Sequence, residues 1–264
     1  MKKALLAIGF CLFCSTAAFA QADPTESSPC NLSPSIVYKF KADLNIITGV
    51  TSSSMTPADH NGGLFFPNRM WGALVDRQGN ICAVFNTGND PWPGSRDIAV
   101  AKAGTANDFS NSALALSTAN LYGPTQPGGS LYGLNNSNPY NPFYNAQGSL
   151  GGSRDYASAS ASEVSVKVPG GIITFGGGVA LYQGGQVIGG FGVSGDTSCA
   201  DHAIAYRTRA LAGYAPPSGF GVNNGTDNIA YYAGPGPGGQ LTSPNQVVPS
   251  EFAQPHCTAH DVTP

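Results

Sequence analysis

Charged side chains are scarce in this chain of 264 residues, which holds 12 lysines and arginines against 15 aspartates and glutamates. No run of basic residues occurs, so nothing in the sequence would attract nucleic acid or an anionic membrane surface. Beyond the N-terminal leader, no apolar stretch reaches the length that a transmembrane helix needs. The sequence therefore excludes a nucleic-acid-binding protein and, once the leader is removed, an integral membrane protein.

Several signatures of enzymes are also missing. Gly192-Val193-Ser194-Gly195 lacks the spacing of a nucleophile elbow, and no histidine–acid pair can be read beside it, which argues against an esterase. The glycines at 176–178 do not have the spacing of a dinucleotide fingerprint. Paired carboxylates of the hydrolase type are absent from any one predicted element. The sequence favours a binding protein over an enzyme.

Glycine and proline are abundant, with 35 and 20 residues, and there is no internal repeat. Such a composition is typical of a secreted, β-rich fold with long ordered loops. The turn-dense, aromatic stretch at 117–163 is the least regular part, and loops of that length are usually functional or disordered.

The first twenty residues have the organisation of a signal peptide. Lys2 and Lys3 form a basic start, residues 4–13 an apolar centre, and Ala18-Phe19-Ala20 a cleavage site with small residues at both ends. Cleavage removes two of the 12 basic residues and no acidic one, which leaves 10 against 15 and a net charge of −5. We expect a periplasmic or secreted protein.

Four cysteines remain after that cleavage: Cys30, Cys82, Cys199 and Cys257. An even number in an oxidising compartment predicts two disulfides rather than free thiols or a metal site. Three connectivities are possible. We favour Cys30 with Cys257, which would join the two tails, and Cys82 with Cys199.

Two β-hairpins are predicted. Trp71–Asp76 and the run 81–85 are strands separated by a turn at Arg77-Gln78-Gly79-Asn80. A second hairpin has apolar runs at 172–182 and 187–195 around paired glycines. One face of its last strand carries Gly190 and Gly192 and is nearly bare, so a helix, a partner subunit's backbone or a flat ligand can approach it closely.

Helices are predicted after each hairpin. Ser95 caps a helix that runs from about 96 to 109 and is rich in small residues. The last helix has N-cap candidates at Asp196, Thr197 and Ser198 and a stop at Gly213. The segment 35–48 fits either a short strand or an irregular helix.

Several ordered motifs together resemble one family. They are the strand Trp71–Asp76, the helix with Asp97-Ile98-Ala99-Val100-Ala101-Lys102-Ala103, the run Gln126-Pro127-Gly128-Gly129-Ser130-Leu131-Tyr132-Gly133-Leu134, and the hairpin that ends in Val193-Ser194-Gly195. Over about residues 68–213 the chain resembles the haem-binding and haem-degrading domain family of GlcG-like proteins, HbpS-type extracellular haem binders and the C-terminal domain of PduO-type proteins.

The resemblance implies an α/β (α+β) fold with a central antiparallel sheet of about five strands, packed helices and a profilin- or PAS-like layered arrangement. It also implies haem as cofactor and assembly into a homo-oligomer. The predicted organisation is a signal peptide at 1–20, an N-terminal extension at 21–67, the family domain at 68–213 with an insertion at about 139–169, and a Pro/Gly-rich C-terminal extension at 214–264.

Haem requires an apolar slot, an iron ligand, and cations or hydroxyls near its propionates. On the family resemblance, the candidate cofactor-binding residues are His60, Arg96, Lys102, Thr105, Tyr122 and Tyr132. His60 is the candidate iron ligand, Arg96 and Lys102 would meet propionates, and the tyrosines would supply a phenolate or ring contacts.

The other histidines are weaker candidates. His202 stands where family members often carry an acidic residue, and we expect it at the surface or in a subunit interface. His256 and His260 have the spacing of helical metal ligands, but they follow Pro255 and surround a cysteine expected to be in a disulfide. We expect no metal site there.

Three functions remain open at this point. The first is an exported haem or tetrapyrrole binder that acts as a buffer or sensor, in which the bare glycine face serves close subunit packing or a flat ring. The second is an accessory protein of a periplasmic redox system that binds no cofactor. The third is slow oxidative haem breakdown with an external reductant.

Overall fold

An antiparallel β-sheet forms the centre of the protein in the computed structural model, which describes residues 30–49, 61–64, 69–88, 92–137, 170–232, 251–258 and 261–264. Its strands are β1 (Trp71–Asp76), β2 (Ile81–Asn86), β3 (Gly178–Gln183) and β4 (Gln186–Ser194). They lie in the order β2-β1-β4-β3. The predicted α+β class is confirmed, with four strands among the described residues where about five were expected. The predicted signal peptide lies outside these residues.

Helices cover both faces of the sheet. They are α1 (Pro34–Ile47), α2 (Pro93–Asp108), the short α3 (Tyr122–Thr125) and α4 (Leu134–Ser137), and α5 (Ser198–Ala212). The α1 and α5 helices pack on one face, and α2 packs on the other. Within the described ranges, none of the helices combines the length and the apolar character that a membrane crossing would need.

Alternation along the central strand β1 divides the core between these faces. Leu74 points to the α1 and α5 side, where it packs with Phe40 and Ile204. Its neighbours Ala73 and Val75 belong to the cluster under α2. Because successive side chains of a strand point to opposite faces, a single strand contributes to two separate cores.

The segment that fitted either a strand or an irregular helix is the regular helix α1. Ile36, Val37, Phe40 and Leu44 are its buried apolar residues, and their spacing places them on one helical face. Pro34 occupies the first turn, where its missing N–H costs no hydrogen bond.

The second hairpin has a shorter first strand than the apolar run predicted. Strand pairing begins only at Gly178, and residues 170–177 form irregular structure. Gly170, Gly171 and Gly177 have positive φ angles of 90°, 82° and 124°, which are incompatible with a continuous strand. The paired glycines of the turn, Gly184 and Gly185, also have positive φ, as a two-residue hairpin turn requires.

The bare glycine face of β4 is occupied by helix α2. A Cβ atom at Gly192 would lie 2.0 Å from the carbonyl oxygen of Ala99, and one at Gly190 would lie 2.1 Å from that of Ala103. Backbone of α2 therefore fills this space, which confirms the first of the three predicted occupants, a helix. The further interpretation of this face as a subunit contact or a slot for a flat ring was wrong, because glycines and small helical residues let a helix and a strand of the same chain approach closely.

Both ends of α5 confirm the predicted signals. The Thr197 side chain accepts a hydrogen bond from the backbone N–H of Ala200, and Gly213 ends the helix with a left-handed φ of 83°. These are the usual N-cap and C-cap solutions for unsatisfied helix ends.

The four cysteines that follow the predicted signal peptide all form disulfides, but the favoured pairing was wrong. Cys30 is bonded to Cys82, and Cys199 is bonded to Cys257. The segment before α1 is held at the β1–β2 turn, where the Asn31 N–H donates to Asp76, and this brings Cys30 beside β2. The C-terminal tail crosses the start of α5 instead of meeting the N-terminal segment.

Candidate functional site

Helix α2 and helix α5 are connected by a buried ion pair past the end of β4. The Lys102 ammonium lies 2.7 Å from a carboxylate oxygen of Asp201 and donates a second hydrogen bond, of 3.0 Å, to the carbonyl of Val193. Both side chains are essentially removed from solvent. Lys102, a predicted propionate contact, is therefore already committed inside the core.

Burial dominates the protonation of this pair. It raises the pKa of Asp201 to about 6, against the opposing charge of Lys102. It also lowers the pKa of Lys102, again against the attraction of Asp201. The Phe175 ring covers the ammonium, with its centroid 5.1 Å from the nitrogen, and is 36% exposed.

Thr105, one turn beyond Lys102 on α2, is also engaged. Its hydroxyl donates to the Ala101 carbonyl at 2.8 Å and accepts from the Ile173 N–H at 3.1 Å. Thr174, which follows Ile173 in the chain, forms hydrogen bonds with the side chains of Thr125 and Asn135. A hydroxyl network thus joins α2, the stretch before β3 and the turn-rich segment 121–135, and Thr105 is 2% exposed.

The remaining described candidates lie nearer the surface and apart from one another. The Arg96 guanidinium, near the start of α2, lies over the Trp71 ring at 5.8 Å from its centroid. Tyr122 is half-buried at the start of α3, and Tyr132 is 68% exposed in the turns that follow. Arg96 and Thr105 are separated by roughly 13 Å along the α2 axis.

His60, the candidate iron ligand, lies outside the described residues. Its neighbour Asn61 is buried, donating to the Ile47 carbonyl at 2.8 Å and accepting from Arg207 at 2.9 Å. Asn61 is thus fixed on the α1 and α5 side of the sheet, whereas Thr105 belongs to α2 on the other side.

His202 is buried, and its predicted surface or interface position was wrong. Its side chain is inside the fold at 0% exposure, where Nε2 lies 3.1 Å from the N–H of Ile229 and accepts its hydrogen bond. Burial lowers the pKa of His202 to about 4, and Arg209 adds to the effect while Asp227 opposes it. The neutral imidazole therefore holds the C-terminal extension against α5.

A second buried ion pair completes this attachment. The Arg209 guanidinium binds both carboxylate oxygens of Asp227 at 2.6 Å and donates to the Ala180 carbonyl at 3.0 Å. The bidentate geometry orients the loop after α5 along β3.

The candidate residues meet the requirements of a haem site to different extents. Lys102 and Thr105 are buried and already have protein partners, so they do not fit as propionate or iron ligands. His202 is also buried, and its Nε2 is taken by the Ile229 N–H, while its Nδ1 has no hydrogen-bond partner. The exposed rings of Phe175 and Tyr132 fit better as contacts for a flat ligand.

Residues 68–210 match the family model described as haem degrading protein HbpS-like. The chain belongs to the HbpS-like family. The match runs from the residues before β1 to the last turn of α5, so the whole sheet, α2 and nearly all of α5 are HbpS-like. The predicted family is confirmed. No curated protein sequence matches this chain.

Three solved structures resemble the HbpS-like chain. Protein ORFY of Klebsiella pneumoniae is 20% identical, with 71% of this chain and 94% of ORFY covered at a TM-score of 0.46. The PduOC–haem complex is 22% identical, covering 68% and 94% at a TM-score of 0.44. A double mutant of Streptomyces reticuli HbpS is 16% identical, covering 80% and 97% at a TM-score of 0.40.

Sequence reasoning missed the role of Asp201 and the burial of His202. One signal for the first was available: Lys102 sits in a helix of small apolar residues, and a lysine packed on a sheet needs an acidic partner. His202 gave no comparable signal, because its hydrogen-bond partner, Ile229, belongs to the extension beyond the family domain.

Proposed function

We propose that this protein is an exported haem-binding protein that serves as a binder, buffer or sensor. The observation that carries the proposal is the HbpS-like family match across residues 68–210, which includes every strand of the described sheet. A related solved structure, PduOC, is a complex with haem. Bound haem would supply an iron centre with axial coordination, and the chain would supply its ligand and its surroundings.

The site we propose is at the surface rather than in the core. Lys102 and Thr105 are engaged by Asp201 and the Ile173 N–H, and α2 fills the glycine face of β4. Two ligand sets remain from the sequence analysis. One is His60, which lies outside the described residues, and the other is Tyr122 or Tyr132 beside the segment 170–175.

Hemin titration of the chain without residues 1–20 tests both the function and the ligand. We expect a saturable Soret shift, abolished or displaced by His60→Ala if His60 is the ligand, or by Tyr122→Phe or Tyr132→Phe if a phenolate is. His256→Ala is the matched control. The His256 imidazole is partly exposed, as a ligand would be, but it is already stacked on Tyr231, so its removal should leave the Soret shift unchanged. Absence of any saturable shift would reject haem binding.

One structural observation favours the accessory role without a cofactor as a second candidate. Lys102 and Thr105, two of the predicted haem contacts, are buried and both have protein partners, so neither needs haem to satisfy it. Failure of the hemin titration, together with an unchanged fold by circular dichroism, would support this role. Haem breakdown is the third candidate, and loss of the Soret band after ascorbate is added to the complex would indicate it.

Export and self-association belong to the same proposal. Two disulfides support folding in an oxidising compartment, as does the predicted signal peptide at 1–20. Mass measurement of the purified chain by light scattering tests the homo-oligomer, and a mass equal to one chain at all concentrations would contradict it.

A further inference from the structure

The Cys199–Cys257 disulfide joins the first turn of α5 to the C-terminal tail, residues 251–258 and 261–264. Its two sulfurs differ in exposure. Cys199 is 1% exposed, whereas Cys257 is partly exposed, so Cys257 is the half of the bond nearer to solvent.

Hydrogen-bond donors converge on these sulfurs. The backbone N–H of Cys199 and the Ser198 hydroxyl each lie 3.2 Å from Cys257 Sγ, and Gln254 Nε2 lies 3.3 Å from Cys199 Sγ. A disulfide sulfur is a weak acceptor, but a thiolate is a strong one, so these donors favour the reduced form. The N-terminal end of α5 adds its positive potential to the same effect.

The other disulfide provides an internal comparison. At Cys30–Cys82 one backbone donor, the N–H of Leu32, reaches a sulfur, at 3.2 Å from Cys30 Sγ. Cys30 is partly exposed and Cys82 is buried in β2, so both disulfides have one half nearer to solvent and differ instead in the number of donors to their sulfurs. Each disulfide also has a carboxylate nearby, Asp76 for Cys30–Cys82 and Asp261 for Cys199–Cys257. A negative charge disfavours a thiolate, and this effect is common to both disulfides.

The tail is fixed over the fold by contacts that surround the disulfide. Gln254 pairs its backbone with Ala230 and Tyr232, and its side-chain oxygen accepts from the Gly176 N–H at 3.2 Å. The tail also lies directly on Gly123, where a Cβ atom would be 2.1 Å from the carbonyl oxygen of Glu251. The disulfide is the covalent part of this attachment.

We propose that Cys199–Cys257 is a thiol-exchangeable disulfide that locks the tail onto α5 and opens when an external dithiol reduces it. One thiolate of the dithiol attacks Cys257 Sγ, and Cys199 leaves as a thiolate at the helix N-terminus. The second thiol of the dithiol then attacks the mixed disulfide and releases Cys257. Two electrons and two protons pass to the cysteines, and the dithiol becomes a disulfide. This inference does not depend on haem binding.

The test is equilibration of the native chain with graded ratios of reduced to oxidised dithiothreitol, followed by alkylation and peptide mass spectrometry. We expect Cys199–Cys257 to be half-reduced at a ratio about tenfold lower than Cys30–Cys82. Amide hydrogen exchange at Gln254 and Tyr232 should accelerate as Cys199 and Cys257 become alkylated. Reduction of Cys30–Cys82 first or at the same ratio would overturn the proposal, as would opening without faster exchange in the tail.

Ser198→Ala separates donor stabilisation from simple exposure. It removes one donor to Cys257 and leaves the helix cap on Thr197 in place. We expect about three- to tenfold more reduced dithiothreitol to be needed for half-reduction of Cys199–Cys257. Ser35→Ala, on the exposed start of α1, is the matched control and should change neither disulfide. An unchanged ratio in Ser198→Ala would reject the role assigned to the donors.

Discussion

Buried polar side chains hold this fold together at three points, and each joins segments distant in the sequence. Lys102 meets Asp201 across the end of the sheet, Arg209 meets Asp227 in the C-terminal extension, and His202 accepts from the extension's backbone. Removing one member of such a pair leaves its partner desolvated without compensation, which costs more than the pair itself contributes.

Lys102→Met should lower the free energy of unfolding at pH 7 by about 3–5 kcal/mol, because Asp201 would remain buried without its cation. Urea denaturation followed by circular dichroism measures the change. Adding Asp201→Asn should recover part of the loss. Lys39→Met is the comparison, since Lys39 keeps 44% of its side chain exposed although its partner Asp43 is buried, and it should cost less than Lys102→Met. Equal effects of the two single substitutions would contradict the structural role of Lys102.

The buried neutral His202 predicts an acid-sensitive stability. The pKa of His202 in the folded chain is about 4, below the ordinary value of 6.5. Between these two pH values the unfolded chain therefore binds a proton at this residue and the folded chain does not. The stabilisation is complete above pH 6.5 and is lost as the pH falls towards 4.

We therefore expect wild type to lose about 2–3 kcal/mol more than His202→Gln when urea denaturation is moved from pH 7 to pH 4.5. Glutamine retains an acceptor for the Ile229 N–H and does not titrate. Asp201, whose pKa is raised to about 6, titrates with the opposite sign, and comparison of the two proteins cancels its contribution. Parallel pH profiles would show that His202 does not titrate in this way.

Among the secondary-structure elements, α2 and β4 approach one another closely at Gly190 and Gly192. Glycines in β4 and alanines in α2 let the two backbones meet without intervening side chains. This contact positions Lys102 to reach past the strand to α5. The absence of a side chain at Gly192 therefore sets the distance between the sheet and α2.

Gly192→Ala should destabilise the protein by about 3 kcal/mol, because its Cβ would lie 2.0 Å from the Ala99 carbonyl oxygen and α2 would have to move. Thermal unfolding measures the effect. Gly94→Ala, in the first turn of α2, meets no atom within 4 Å and should be neutral or slightly stabilising. A tolerated alanine at 192 would mean that the helix–strand spacing adapts at little cost.

For the chain as a unit, the disulfides attach both extensions to the family domain. Cys30–Cys82 closes a loop with a sequence separation of 52 and ties the start of α1 to β2. Cys199–Cys257, with a separation of 58, ties the tail to α5. The N-terminal and C-terminal parts are thus each fixed to the sheet-and-helix core and not to one another.

Replacing both Cys30 and Cys82 with serine should lower the free energy of unfolding by about 4 kcal/mol, from the loop entropy regained by the unfolded chain. Denaturation under non-reducing conditions, with Cys199–Cys257 intact, measures it. Ser33→Ala, close to Cys30 on an exposed site, is the control. A loss below about 1 kcal/mol would show that other contacts already order the N-terminal segment.

Local sequence signals were sufficient for much of this protein. Short apolar runs on either side of a Gly79 turn specify β1 and β2, paired glycines specify the second hairpin's turn, and Thr197 and Gly213 delimit α5. The ordered motifs also sufficed for the family. Each of these depends on residues a few positions apart, whose backbone preferences act before any long-range contact forms.

Other features required the folded chain, because they depend on which distant segments meet. Cysteine counting predicted two bonds but not which cysteines pair, and glycine patterning predicted a close approach but not that α2 makes it. From its spacing alone His202 would lie on the surface of α5, and it is buried because the C-terminal extension covers it. Of the candidate haem residues in the described ranges, Lys102 and Thr105 are buried in α2, whereas Tyr132 is exposed in the turns after α3. Burial and proximity across such separations are properties of packing, and no short stretch of sequence encodes them.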